Sequence, residues 1–301
     1  MTRGLTLSGH IFRSLPQFRG KGRAALRIGS LLTTRGADPI VSCKMTAGHR
    51  LRLDCRVQSH CRTYFTGEYD EAKVSTLSSF LRRNGVALDV GANIGFYTVP
   101  LARVARDLQA KVVAVEPVAI NCEWLIANLA LNQCKEVVEV WTHGLSDVEG
   151  DTQIVLAEDF LAGGSVGNAV ISDLASYGPE FRRTTIHLKK LDDIWPKNAS
   201  RIDIIKLDIE GHEGKFLIGS RDTISLYRPV ILMEVNRLHY RKQGLDFDSL
   251  IPKLLPKEYE FAEVTNRGVN RITKLADCPD GDVLLIPAER LAETNCARTR
   301  D

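Results

Sequence analysis

Three charged residues arrive at every second position where an apolar run ends. Ile202, Ile204 and Ile205 lead into Lys206, Asp208 and Glu210, and Gly211 and His212 follow. Alternation puts Lys206, Asp208 and Glu210 on one side of a strand whose apolar part is buried on both faces. Charges in such a place are costly unless they are paired or used. A second apolar run, Val230 to Met233, ends in Glu234, with Asn236 just beyond. The chemistry open to this set is proton removal. A positioned carboxylate or neutral imidazole takes the proton of a poor nucleophile such as a hydroxyl, for roughly 10²–10⁴-fold in rate. Asp208 is the first candidate for that base. His212 is the second, because a helix N-terminus favours its neutral form. Glu210 and Glu234 would then hold acceptor hydroxyls. The competing reading is an ion pair of Lys206 with Asp208 or Glu210 that only shapes the loop. The carboxylates could also hold Mg²⁺, but no ligand spacing marks a metal site and a metal-free reaction is expected.

The partner of that proton transfer is read from Leu88-Asp-Val-Gly-Ala-Asn-Ile-Gly-Phe-Tyr-Thr98. The short apolar run Val86–Val90 passes through a glycine-punctuated turn into an apolar-periodic segment, so a strand leads through a tight turn to a helix N-terminus facing a ligand. Gly91 and Gly95 allow close approach, and Asn93 tolerates a left-handed backbone. A second apolar run, Val112–Val115, ends in Glu116-Pro117, where an acid accepts hydrogen bonds from ribose hydroxyls. The order Gly91-Ala-Asn93-Ile-Gly95-Phe lacks the spacing and the third glycine of a dinucleotide site. Asp89 instead suits a cofactor with an ammonium and a sulfonium. The form D-x-G-x-N-x-G with a distant E-P is the pattern of S-adenosyl-L-methionine sites in Rossmann-like methyltransferases. Ser146 and Asp147, after the third strand, fall where the adenine would lie.

From Val86 to about Val235 the chain resembles the FkbM family of S-adenosylmethionine-dependent methyltransferases. The resemblance rests on Asp89-Val-Gly-Ala-Asn-Ile-Gly-Phe-Tyr-Thr98, Val115-Glu-Pro117, Gly144-Leu-Ser-Asp147, Leu191-Asp-Asp193, Ile205-Lys-Leu-Asp-Ile-Glu-Gly-His-Glu213 and Leu232-Met-Glu-Val235. It covers about half of the chain, and the first eighty residues match only loosely, at Gly67-Glu-Tyr69. It implies methyl transfer, commonly to a hydroxyl oxygen of a sugar or a glycosylated small molecule. Two other classes compete. A nicotinamide-dependent sugar oxidoreductase would want G-x-G-x-x-G and Y-x-x-x-K. A non-catalytic cofactor-binding domain would have no need of Asp208, Glu210 and Glu234. A nucleobase amine is a poor acceptor, since Lys-Leu-Asp-Ile-Glu-Gly replaces the usual [DNS]-P-P-[YF] clamp.

These residues require an α/β chain, a mostly parallel twisted sheet with helices on both faces. Strands at 86–90, 112–115, 137–141, 202–207 and 230–235 alternate with helices at 120–131, 213–226 and 247–255. Tyr259–Val264 and Val283–Ile286 are expected to close the sheet as an antiparallel pair. Pro100 either kinks or shortens the helix after the glycine turn. The stretch from Asp151 to Pro179 is an insertion flanked by strand-like runs at 153–156 and 184–188. Residues 39–84 form a small hairpin and helix, 85–290 the cofactor domain, and 291–301 a tail. Residues 1–38 are expected to be a mobile basic extension, since residues 1–36 carry seven Arg/Lys and no acid. An Arg-rich, acid-free start also fits an organelle transit peptide.

With 301 residues, 44% hydrophobic content and a net charge of +3, the whole chain is no nucleic-acid binder. No apolar run spans a bilayer. The seven cysteines lack a C-x-x-C pair, which suits reduced thiols in the cytoplasm. Cys43, His49, Cys55, His60 and Cys61 have no zinc spacing, and Asn198-Ala-Ser200 is a sequon in form only.

Overall fold

The fold is seen in a computed structural model that describes residues 3–16, 20–34, 38–156, 169–170, 182–196, 201–265 and 268–298. Helices α1 (Arg3–Ser14) and α2 (Lys21–Thr34) come first, followed by the hairpin of β1 (Ile40–Lys44) and β2 (Arg50–Asp54) and by α3 (Gln58–Thr66) and α4 (Glu71–Ser79). The core then alternates: β3 (Val86–Val90), α5 (Thr98–Asp107), β4 (Lys111–Val115), α6 (Ala119–Leu131) and β5 (Val138–Trp141). A separate set of β6 (Gly144–Leu145), β7 (Gly150–Leu156), β8 (Ala169–Val170) and β9 (Arg183–Lys189) interrupts it, ending in the short α7 (Leu191–Ile194). The alternation resumes with β10 (Ile202–Leu207), α8 (Glu213–Gly219), α9 (Arg221–Tyr227), β11 (Val230–Val235), α10 (Arg237–Lys242) and α11 (Phe247–Leu254). Strands β12 (Tyr259–Thr265), β13 (Gly268–Ile272) and β14 (Gly281–Pro287) close the chain.

The main sheet has the order β13-β12-β14-β11-β10-β3-β4-β5. Strands β11, β10, β3, β4 and β5 run parallel, while β14, β12 and β13 are antiparallel additions at one edge. The chain runs outward from β3 to β5 and then returns to lay β10 on the other side of β3. That reversal opens a crevice at the carboxyl ends of β3 and β10, the place where such sheets bind ligands. Every residue of β3 and β10 is buried, the charged Asp89, Asp203 and Lys206 among otherwise apolar neighbours. The register sets Lys206 beside Asp89 and Leu207 beside Val90.

The structure settles or alters the sequence reading in four places. The basic N-terminus is helical where described: Phe12 and Ala25 are buried, and α1 and α2 pack on α3. Their small and aromatic residues recur at helical spacing, which a count of charges does not reveal. Pro100 shortens its helix, because the turn after β3 continues to Tyr97 and α5 starts only at Thr98. Proline then sits in the first turn, where no N–H is needed. The helix expected over 213–226 breaks at Ser220, whose hydroxyl donates to the Phe216 carbonyl at 2.6 Å. The insertion pairs β7 with β9 antiparallel and forms its own four-stranded sheet rather than extending the core. Most of residues 157–181, and Asn198, lie outside the described residues.

The docking of α2 rests on Gly29, where a Cβ would lie 2.2 Å from the Cys61 sulfur. Gly29→Leu should therefore push α2 off α3 and lower stability by about 1–3 kcal/mol, read as a drop in the urea midpoint at unchanged slope. An unaltered midpoint would show that α2 does not dock.

Candidate functional site

Two turns meet back to back at the switch point. Gly91 has φ +83°, and a Cβ there would stand 1.9 Å from the Asp208 carbonyl oxygen, so only glycine lets the loop after β3 touch the loop after β10. The Asp208 N–H donates to the Val90 carbonyl at 3.1 Å and locks the two together. Asn93 takes the left-handed conformation its type allows, with φ +50°. That rotation aims the Asn93 N–H at Glu116 Oε2, 2.8 Å away. The Glu116 Oε1 accepts from the Val118 N–H at 3.0 Å and from the Asn121 side chain at 3.4 Å. Glu116 is buried, and burial pushes its carboxyl up to about 7 against those hydrogen bonds. Asp89 is likewise buried and pushed up to about 6, though the Thr98 hydroxyl donates to it at 2.5 Å.

These residues border a cavity that encloses about 1090 Å³ of empty space, mouth included. Asp89, Gly91, Asn93, Glu116 and Pro117 line it, as the sequence led us to expect. Its apolar wall comes from Val118, Leu145, Ile154, Ile186 and Leu188, so the inserted sheet is part of the pocket. Gly95 stands outside the lining, with φ +97° and a Cβ position only 2.8 Å from Leu125. Its freedom serves helix packing rather than contact with a ligand. Ser146 and Asp147 are not in the wall either. The Ser146 hydroxyl, buried, bonds His212 Nε2 at 2.8 Å and Asp147 Oδ1 at 3.0 Å. They brace His212.

The opposite end is charged. Lys206 is 3% exposed, and its ammonium lies 3.2 Å from Asp208 Oδ2 and 3.4 Å from Asp282 Oδ1. Burial opposes its charge, but the two carboxylates outweigh that and hold it above the usual lysine range. The ion-pair reading of Lys206 and Asp208 is therefore correct as geometry, and Asp208 and Glu210 also line the cavity. The alternation stops at Leu207, where the strand ends, and Glu210 has φ +54°. Even so, one oxygen each of Asp208, Glu210 and Glu234 lie within 4.8 Å of one another, a spacing that would suit a divalent ion. Glu234 Oε2 is buried with no hydrogen-bond partner among the described residues. Burial, then the charges of Asp208, Glu210 and Glu213, push the Glu234 carboxyl up to about 10. His212, buried and facing Lys215, is pushed down to about 4 and is neutral.

The loop between β10 and α8 is held from below by Glu213. Its buried carboxylate accepts from the N–H groups of Ile209 and Gly211 at 3.2 and 3.1 Å and from the Tyr240 hydroxyl at 3.1 Å. Several other contributors had no role in the sequence reading. Tyr69, between α3 and α4, lines the cavity and stacks on Phe96 with ring centres 4.0 Å apart. Ser59 of α3 also lines it. Asp282, on the antiparallel β14, is Lys206's second partner and also pairs with Lys73. The signal at Gly67-Glu-Tyr69 was visible in the sequence, whereas that of Asp282 was hidden in a strand read only as closing the sheet.

A family model described as the methyltransferase FkbM domain matches residues 89–265. The chain belongs to the FkbM methyltransferase family. It carries that family's methyltransferase domain, whose methyl donor is S-adenosyl-L-methionine, and it spans less than two thirds of the length of the curated relatives it matches. The site fits that cofactor: an apolar wall, buried Glu116 after β4 and the cavity border formed by Gly91 and Asn93. The chain is 29% identical over 162 residues to methyltransferase SdnD of Sordaria araneosa, covering 46% of this chain and 61% of that protein. It is 28% identical over 192 residues to the AMB antimetabolite synthetase AmbE of Pseudomonas aeruginosa, covering 54% of this chain and 9% of that one. Among solved structures it resembles methyltransferase FkbM of Methylobacillus flagellatus, at 18% identity and a TM-score of 0.42, over 88% of this chain and 59% of that one. No helix among the described residues is long and apolar enough to cross a membrane.

Glu234 yields a pH test. Its folded pKa lies above the ordinary 4.5, so the native state keeps a proton that the unfolded chain has released. Stability should fall as pH rises from about 4.5 toward about 10. Glu234→Gln removes that loss, so its gain in melting temperature over the wild type should grow from pH 5 to pH 8. A gain that does not change with pH would show that Glu234 is ionised in the native state.

Proposed function

We propose that the enzyme methylates a hydroxyl oxygen of a sugar or a glycosylated small molecule, with Asp208 as the base. The observation that supports this reading is the charged end of the cavity. Asp208 is 37% exposed in its side chain and lines the cavity, while a buried ammonium stands on its other side. Lys206 would aim the carboxylate, and Asp208 would take the proton as the hydroxyl oxygen begins to bond to carbon. Glu210, beside it, would accept a hydrogen bond from a neighbouring acceptor hydroxyl. Glu234, protonated, would donate one. His212 is neutral and so competent as a base, but its Nε2 is already engaged with Ser146, which places it second. On the cofactor side, Glu116 would accept from the ribose hydroxyls and Asp89 would face the amino group. Alignment of the two reactants supplies the remainder of the rate.

A second reading has an observation of its own. The convergence of Asp208, Glu210 and Glu234 with a bare Glu234 oxygen would suit Mg²⁺ held against the acceptor hydroxyl. Exhaustive chelation separates the two. Unchanged methyl transfer supports the metal-free base, whereas loss with recovery on Mg²⁺ replaces it.

Transfer of labelled methyl from S-adenosylmethionine to a panel of glycosides, with the product linkage read by NMR, tests the acceptor class. A methyl found on nitrogen or carbon would overturn it. Asp208→Asn should lower turnover by roughly 10²–10⁴-fold at unchanged cofactor affinity. Asp282 still neutralises Lys206 in that variant, so the stability loss should stay below the roughly 3–5 kcal/mol of a stranded buried charge. A fully active Asp208→Asn enzyme would move the base to His212 or Glu234. Glu116→Ala should weaken cofactor binding by calorimetry, at roughly 1.5–3 kcal/mol for each hydrogen bond to a charged acceptor. Equal affinity would show that Glu116 only braces the turn through Asn93 and Val118.

A further inference from the structure

The first 36 residues carry seven basic side chains and no acid, and this charge lies outside the cofactor site. Two of the seven are turned inward. Arg13 Nη1 donates to the Tyr64 carbonyl at 2.7 Å, and the buried Lys21 donates to the Leu15 carbonyl at 2.8 Å. Arg23 and Arg27 face the other way. On α2 the positions 23, 27, 30, 31 and 34 form one exposed stripe, opposite the buried Ala25 and Gly29. Neither arginine forms an ion pair among the described residues. Large apolar side chains share this outer layer: Leu31 of α2 is 49% exposed and Ile11 of α1 55%, with Leu15 just beyond at 42%. Both helices pack on α3 through their inner faces, so these residues point away from the core.

A solvated helix face has no use for bare leucines and isoleucines between unpaired arginines. An anionic bilayer surface accepts both: guanidinium groups pair with headgroup phosphates, and short apolar side chains enter the boundary of the acyl region. We propose that α1 and α2 form a docking surface for membranes rich in anionic lipid, on which the enzyme rests with both helices in the plane of the interface. The complementarity is one of sign and of texture, since no carboxylate within residues 1–36 opposes approach to a negative surface. Binding is peripheral and reversible, carried by a few charges and three apolar side chains. It weakens with salt, because the contacts lie in solvent where screening acts within a Debye length.

The test uses the full chain and vesicle co-sedimentation. It should sediment with vesicles of phosphatidylcholine containing about one third phosphatidylserine, not with pure phosphatidylcholine, and be released by high salt. Arg23→Glu with Arg27→Glu should cut binding by at least about tenfold, and Ile11→Ser with Leu31→Ser should also lower it. The charge-matched control is Lys253→Glu with Lys257→Glu, at exposed lysines on and after α11, and it should bind as the wild type does. Melting curves by circular dichroism confirm that each variant is folded. Equal binding to both vesicles, no binding to either, or an equal loss in the control would overturn the proposal. So would binding to nucleic acid in place of vesicles.

Discussion

The pairing of one buried ammonium with two carboxylates holds this site together. Lys206 sits inside the sheet, on a strand buried along its whole length, and would cost several kcal/mol if left alone there. Asp208 and Asp282 approach it from different elements, the loop after β10 and the antiparallel β14. The three residues thus tie the cofactor crevice to the strands added at the edge of the sheet. Lys73 of α4 extends the chain of charges by pairing with Asp282, and the Tyr97 ring lies 5.0 Å from the Lys206 ammonium. A neutral residue at 206 would remove the ammonium that pairs with both Asp208 and Asp282.

The acids of the site are sorted by where they sit. Glu116 and Asp89 lie inside the fold, raised to about 7 and about 6 by burial, so part of their ionisation is withheld until hydrogen-bond donors arrive. A ribose hydroxyl or an ammonium is such a donor, and binding would draw both acids to their charged forms. Glu234 goes further, because Asp208, Glu210 and Glu213 repel its charge as well. Crowded acids at one strand tip cannot all ionise cheaply. The cluster therefore contains an acceptor and a proton donor side by side.

The core was legible because both faces of its strands are buried. Val86–Val90, Ile202–Leu207 and Val230–Val235 are predominantly apolar, and the charged residues toward their carboxyl ends stood out for that reason. Glu116 and Asn93 followed from spacing alone. A polar residue after β5 reads the same whether it meets a ligand or braces His212, and a positive φ at Gly95 shows that glycine is needed, not what it serves. The N-terminal helices escaped because their apolar face is built partly from glycine and alanine, which weaken the periodic signal.

Residues outside the family-matched region complete the pocket, and that division has a physical consequence. Positions 89–265 carry the cofactor turn, Glu116 and the acid cluster. Ser59 and Tyr69 come from the N-terminal layer, and Asp282 comes from β14. The Tyr69 ring is fixed by its stack on Phe96, itself part of the cofactor turn, so the position of the N-terminal layer is registered against the cofactor to within one ring contact. Burial and the nearby charge of Asp208 keep the Tyr69 phenol protonated, so it faces the acid cluster as a donor. The shared region thus sets the reaction. The rest of the cavity wall is drawn in part from elements outside that region, Ser59 and Tyr69.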